Sequence, residues 1–227
     1  MERRDKIALT LNIVVFLMAL VGSILCFGEI YIVNTKPIEH GIKLLKFFTL
    51  QSNILAGVSA LLYVVFFLRE RKTERKTPFF VYMLRYIATI DLILTFLVVA
   101  LFLGFIVEEG YFSLYVNANF FFHFAIPIIN FINYIGVERK PLLKLKHTFV
   151  GLIHVLLYAI FYIAVVIAHF SDGAVAIEYD WYAFAQKGLP IAFVCAFVVL
   201  GVSYLTAFGL YKGVNKKQTK KQQKNLS

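Results

Sequence analysis

The sequence predicts an all-α, polytopic membrane protein, with six transmembrane helices in one bundle and both termini in the cytoplasm. Three observations carry this. Of the 227 residues, 60% are hydrophobic and only 16% are charged, whereas a soluble domain holds about 45–50% apolar and about 25% charged residues. Six stretches reach the roughly 20 apolar residues that a helix needs to cross the hydrocarbon. Lys and Arg sort to alternate loops between those stretches, and such clusters face the cytoplasm.

The first span is Ile7–Tyr31. It is too long for a signal-peptide core and no small-residue cleavage site follows it, so it is kept in the mature chain. The second, Leu44–Leu68, places Thr49, Ser52, Asn53, Ala56, Ser59, Ala60 and Tyr63 on one helical face by their i, i+3, i+4 and i+7 spacing. Small residues in such a stripe let helices approach closely, and mid-helix Ser and Thr often bond back one turn. Neither accounts for Thr49, Gln51, Ser52 and Asn53 falling within five residues.

The third span, Phe79–Ile106, contains Arg85 near its inner end, expected to snorkel to the headgroups, and Asp91 near mid-membrane. An intramembrane carboxyl must pair, stay protonated or face water, so Asp91 is read as orienting a histidine, carrying protons, or bonding Thr95. The fourth, Ala118–Val137, brings Asn119, His123 and Asn130 to one face. Pro127 lacks the N–H that would bond the carbonyl of His123 in an α-helix, so that carbonyl needs another partner. The fifth, Phe149–Phe170, carries His154 and His169 near its two edges, both expected to be interfacial. The sixth is Pro190–Tyr211. Period-2 alternation is absent, which argues against a barrel. No internal repeat is present, so residues 1–211 form one transmembrane domain and residues 212–227 a basic, disordered cytoplasmic tail.

The cations explain the orientation. Arg3, Arg4 and Lys6, the cluster Arg69 to Lys76, the group Arg139 to Lys146 and the lysines from Lys212 onward share one side. Only Lys36, Lys43, Lys46 and Lys187 lie on the other. The net charge of +10 therefore reports topology and headgroup contact, and no nucleic-acid partner is expected. Cys26 and Cys195 lie far apart in apolar runs, so no disulfide framework, metal or cofactor is expected.

At ~1.5 Å per residue, Thr49 lies ~8 Å below the outer edge and His123 ~6–9 Å below it. A hydroxyl and an imidazole at one depth are the parts of a nucleophile and its general base.

Three patches resemble the androgen-induced and androgen-dependent six-pass membrane proteins and their bacterial relatives. Phe48-Thr49-Leu50-Gln51-Ser52-Asn53-Ile54-Leu55 is similar to that family's aromatic–Thr–x–x–Ser–Asn–Leu motif, and His123 with Pro127 to its His…Pro motif. Asp180-Trp181-Tyr182-Ala183-Phe184 is similar to its Tyr-Pro-Phe segment. Members are intramembrane hydrolases of fatty acid esters of hydroxy fatty acids. The resemblance implies Thr49 as nucleophile and His123 as base, in a bacterial cytoplasmic membrane. Two positions depart from the pattern: Asn133 where bacterial relatives have Asp, and Ala183 where Pro is expected. Ser52 or Asn53 would face the developing oxyanion, and Asn119, Asn130, Glu29 and Asp91 are candidates to orient the histidine. The outer loop Ser171–Gly188, rich in aromatic rings that settle at interfaces, is expected to roof the cavity with Trp181 or Tyr182. The expected partners are membrane lipids and an acyl ester from the bilayer. A transporter or binder of a small polar solute, and a non-catalytic scaffold, are the other classes that this sequence allows.

Overall fold

The computed structural model describes residues 2–30, 39–107, 110–171 and 173–226; Tyr31, Lys36 and Asp172 lie outside the described residues. Six helices are long and apolar enough to cross a membrane: α1 (Arg3–Phe27), α2 (Phe48–Thr73), α3 (Phe79–Leu103), α4 (Ala118–Val137), α5 (Lys146–Ala168) and α6, whose spanning part is Leu189–Lys216. The chain is an integral, multi-pass, all-α membrane protein, and no strand forms among the described residues.

α2 and α3 are the centre of the bundle, while α5 and α6 are the least covered by protein and present Leu157, Ile160, Phe197 and Leu205 outward. The small face of α2 does what its composition predicts. Ala56, Gly57 and Ala60 are buried, and a Cβ on Gly57 would sit 2.8 Å from the Cβ of Ala19 in α1, so only glycine allows that approach. Ser59 bonds back to the Ala56 carbonyl at 3.0 Å.

α1 begins at Arg3 instead of Ile7 and ends at Phe27, and three further helices depart from the predicted ends. α2 begins at Phe48 instead of Leu44, because Gly41–Lys46 forms a separate 3₁₀ segment. α5 begins at Lys146 and is interrupted by a turn at Gly151–Leu152. The tail expected to be disordered from residue 212 continues α6 to Leu226. Lys and Gln are good helix formers and no proline interrupts them. Asn215 also clamps the extension, donating to the Leu143 carbonyl at 2.9 Å and accepting from its N–H at 3.0 Å.

At the basic end, Arg85 is fully buried and does not snorkel. Its Nη2 lies 2.6 Å and its Nε 3.1 Å from Glu138 Oε1. Asn12 and Asn133 donate to the same oxygen at 3.0 and 3.1 Å, and Arg85 reaches Ser59 at 3.3 Å. A fully buried guanidinium is stable only when paired and hydrogen-bonded. Glu138, just beyond α4, folds back to provide that pair. Asp5 and Arg139 close the same end at 2.8 Å.

Candidate functional site

Thr49 lies in the first turn of α2 and lines a cavity of about 650 Å³, the open space at its mouth included. The walls are apolar: Leu94, Val98 and Val99 from α3, Val155 and Ala159 from α5, and Ala196 and Val199 from α6. Thr49, Thr95, Tyr158, Tyr162 and Tyr182 also line the cavity. Among the described residues the Thr49 hydroxyl makes no hydrogen bond. Its carbonyl is well occupied, accepting from Ser52 Oγ at 2.9 Å and Asn53 Nδ2 at 2.8 Å.

The outer loop covers this cavity. Asp180, fully buried, is its hub. The carboxylate accepts the N–H groups of Phe184 and Ala185 at 3.0 Å each, Gln186 Nε2 at 2.9 Å, and the Tyr162 hydroxyl. Held this way, Tyr182 and Phe184 line the cavity, and the Tyr182 hydroxyl accepts the free N–H of Phe48 at 2.9 Å. That N–H belongs to the first turn of α2, whose donors have no partner within the helix. Trp181 Nε1 donates to Tyr158 at 3.0 Å, and Tyr158 donates to the Lys46 carbonyl at 2.5 Å. Lys46 pairs with Glu39 and lies over the Trp181 ring at 5.4 Å. The Lys46 hydrogen bond holds the Glu39 carboxyl below the usual carboxylate range. Burial pushes the Tyr182 hydroxyl up, so it stays neutral.

His123 is buried in α4, and its Nδ1 lies 2.6 Å from the Leu114 carbonyl. It does not line the cavity, and no hydrogen bond joins it to Thr49. The two spans are nonetheless neighbours at this level, because Asn53 donates to the Phe122 carbonyl at 3.2 Å. That carbonyl is the orphan, in place of the one on His123. Residues Phe121–Ala125 form a π turn in which the Ile126 N–H returns to Phe121. In that register the partner offered to Phe122 is Pro127, which has no N–H.

The remaining candidates disperse. Glu29 turns to His40 Nδ1 at 2.7 Å and makes no contact with His123. Asn130 donates to Thr89 Oγ1 at 3.0 Å. Asn119 opens α4 and makes no hydrogen bond to His123. Ser52 meets Thr95 Oγ1 at 3.0 Å.

Asp91 does orient a histidine, and it is His154, not an interfacial residue as its position suggested. The Nδ1 of His154 lies 2.7 Å from Asp91 Oδ2, its Nε2 lies 3.3 Å from Gln51 Oε1, and its ring stacks on Phe48 at 5.2 Å. The meeting depends on Gly151, one turn before His154. A Cβ there would lie 2.6 Å from Ile90 and 2.7 Å from Tyr86, so α5 crosses α3 closely only because residue 151 has none. The sequence signal was a buried Asp in need of a partner together with a histidine whose span starts three residues earlier than hydropathy placed it.

Among the described residues no cluster of His, Cys, Asp and Glu could hold a metal ion. Comparison with protein-family models, curated proteins and solved structures finds no match. The likeness to the six-pass hydrolases therefore stands on its three sequence patches.

Proposed function

We propose that the chain is an intramembrane hydrolase of lipid acyl esters, with Thr49 as the nucleophile. The observation that carries this reading is Thr49, which lines an apolar cavity between α2, α3, α5 and α6 and whose hydroxyl makes no hydrogen bond among the described residues. Such walls suit a fatty acyl chain that never leaves the bilayer, and the aromatic roof separates the cavity from water. A threonine hydroxyl needs a positioned base to be nucleophilic. The resemblance gives that role to His123. Ser52 and Asn53 are the nearby donors for the oxyanion, although both now bond the Thr49 carbonyl and must turn to serve it.

The test uses the purified chain in lipid vesicles with a fluorophosphonate probe and a fatty acid ester of a hydroxy fatty acid. The expected result is covalent labelling at residue 49 and ester turnover, both lost in Thr49→Ala. Absence of both in the unaltered chain removes the reading.

A pathway for a small polar solute is the second reading. Its support is the buried column Arg85, Thr89, Asp91 and Thr95 along α3. Against it, each member is already closed by a partner, respectively Glu138, Asn130, His154 and Ser52. The same proposal places the roof outside the cytoplasm: a cysteine at Lys187 reacts with an impermeant reagent from outside, and cysteines at Lys72 or Lys144 do not.

A further inference from the structure

We propose that His154, oriented by Asp91, is the general base of the Thr49 cavity. This rests on the hydrolase reading above and changes which imidazole performs the proton transfer. A catalytic imidazole has to be held in one orientation, and the cation that forms on it needs a nearby negative charge. His154 receives both from Asp91. The carboxylate is fully buried, its Oδ2 is 2.7 Å from Nδ1, and its Oδ1 has no partner. It is therefore committed to this ring. His123 has only the dipole of the Leu114 carbonyl at its Nδ1.

The location agrees. His154, like His123, is not itself a lining residue, but Val155, the next residue, and Tyr158, one turn on, both line the cavity, and the ring of His154 is stacked on Phe48, the lining residue before Thr49. Ser52 meets Thr95 at 3.0 Å and Gln51 meets His154 at 3.3 Å, so a polar ring joins α2, α3 and α5 beside the apolar walls of the cavity.

Gln51 sets the resting state. Its Nε2 donates to the Leu45 carbonyl at 2.6 Å, so its Oε1 faces His154 as an acceptor and keeps a proton on the His154 Nε2. At 3.3 Å that contact is weak, and substrate displaces it. The Nε2 proton leaves to a water molecule, the ring keeps its other proton on Nδ1, donated to Asp91, and the Nε2 lone pair is then free to accept a proton from the cavity. Thr49 Oγ attacks the ester carbonyl and its proton passes to Nε2. The C–O bond to the alcohol breaks and the alkoxide takes that proton. Water then attacks the acyl-threonine carbonyl and gives a proton to Nε2. The acyl C–O bond breaks, the fatty acid leaves, and Thr49 regains the proton. Asp91 acts through the ring and is a positioning residue.

The experiment measures turnover of a 4-nitrophenyl ester of a medium-length fatty acid by the full chain in vesicles, with fluorophosphonate labelling as a second readout. His154→Gln is expected to lower kcat about 10²–10⁴-fold, the usual contribution of a general base, with little change in KM. His154→Gly is expected to recover part of the loss when imidazole is added. Asp91→Asn is expected to lower kcat without such rescue. Gln51→Ala is expected to quicken labelling of Thr49, an effect that a structural role of the polar ring would not produce, and this arm stands even where the His154 variants fail to insert. If His154→Gln stays within about threefold of the unaltered chain while His123→Gln abolishes turnover, the base is His123 and only this proposal falls. If the unaltered chain neither labels nor turns over ester, the hydrolase reading falls and takes the proposal with it.

Discussion

Asn53 spans two helices with one amide: its Nδ2 donates to the Thr49 carbonyl in its own helix at 2.8 Å and to the Phe122 carbonyl in α4 at 3.2 Å. A polar side chain in the hydrocarbon is thereby tied to a backbone defect that proline creates. The π turn at Phe121–Ala125 and Pro127 together leave Phe122 without a helical donor, and a buried carbonyl without a donor is costly.

This arrangement predicts a particular non-additivity. Asn53→Ala should destabilise the chain by about 1–3 kcal/mol, the cost of an unsatisfied buried group. Pro127→Ala supplies an N–H in the place the π register offers to Phe122. The double variant should therefore lose clearly less than the sum of the single losses. Thermal unfolding in detergent measures all three. Strict additivity would show that Asn53 and Pro127 do not share the Phe122 carbonyl.

The buried cluster at the basic end explains why residue 133 is Asn where the resembled family has Asp. Glu138 already supplies the carboxylate, and Asn133 is one of its donors at 3.1 Å. Asn133→Asp replaces a donor by a second acceptor next to Glu138 Oε1, and losing a hydrogen bond to a charged group costs about 1.5–3 kcal/mol. Moving the carboxylate instead, with Asn133→Asp and Glu138→Gln together, should recover much of the melting midpoint, since Arg85 keeps one anion. Arg85→Met alone leaves Glu138 without its cation and should cost about 3–5 kcal/mol. Equal midpoints for the single and double Asn133 variants would contradict this account.

Much of the architecture was legible because hydropathy and charge act along the chain. Six apolar stretches in a row dictate six helices, and the small face of α2 dictates close packing against α1. Arg85 was misread for a definite reason. Its partner Glu138 is 53 residues away in sequence, and nothing local shows that a loop carboxylate folds back into the bundle. His154 was misread likewise, since its meeting with Asp91 depends on the crossing of α3 and α5 at Gly151. The aromatic loop over Thr49 followed from its interfacial rings, whereas shared depth pointed to a cavity against α4 and the one found lies between α2, α3, α5 and α6. That His123 stands apart from Thr49 did not, because depth says nothing about rotation around a helix.

The loop departs from the resembled Tyr-Pro-Phe segment in conformation as well as in residue. Ala183 has φ +57° and its N–H donates to the Asp180 carbonyl at 2.7 Å. Proline fixes φ near −65° and has no N–H, so Ala183→Pro, although it restores the family's residue, should break the turn and free Trp181 and Tyr182. Ala183→Gly should stabilise it, because a left-handed alanine costs roughly 1–2 kcal/mol that glycine avoids. Fluorescence of Trp181, the single tryptophan, reports both. A blue-shifted, unaltered spectrum in Ala183→Pro would show that the loop tolerates the family's geometry.

The roof is latched from its solvent side by charge, and this gives it a pH dependence. Glu39 pairs with Lys46, whose backbone carbonyl takes the Tyr158 hydroxyl and whose ammonium lies over Trp181. The Lys46 hydrogen bond lowers the Glu39 pKa. A carboxyl lowered by a native partner contributes stability above its free pKa, about 4.3, and loses it as pH falls through the lowered value. The latch should therefore be intact at neutral pH and open only in acid below about pH 4. Quenching of Trp181 by acrylamide should stay low from pH 7 to about pH 5 and rise below about pH 4. Glu39→Gln keeps the shape without the charge and should flatten that rise, with quenching at pH 7 already moved toward the acid value. The pair is near the surface, so high salt should weaken it in the same direction. An acid transition that persists unchanged in Glu39→Gln would place the titrating group elsewhere in the loop.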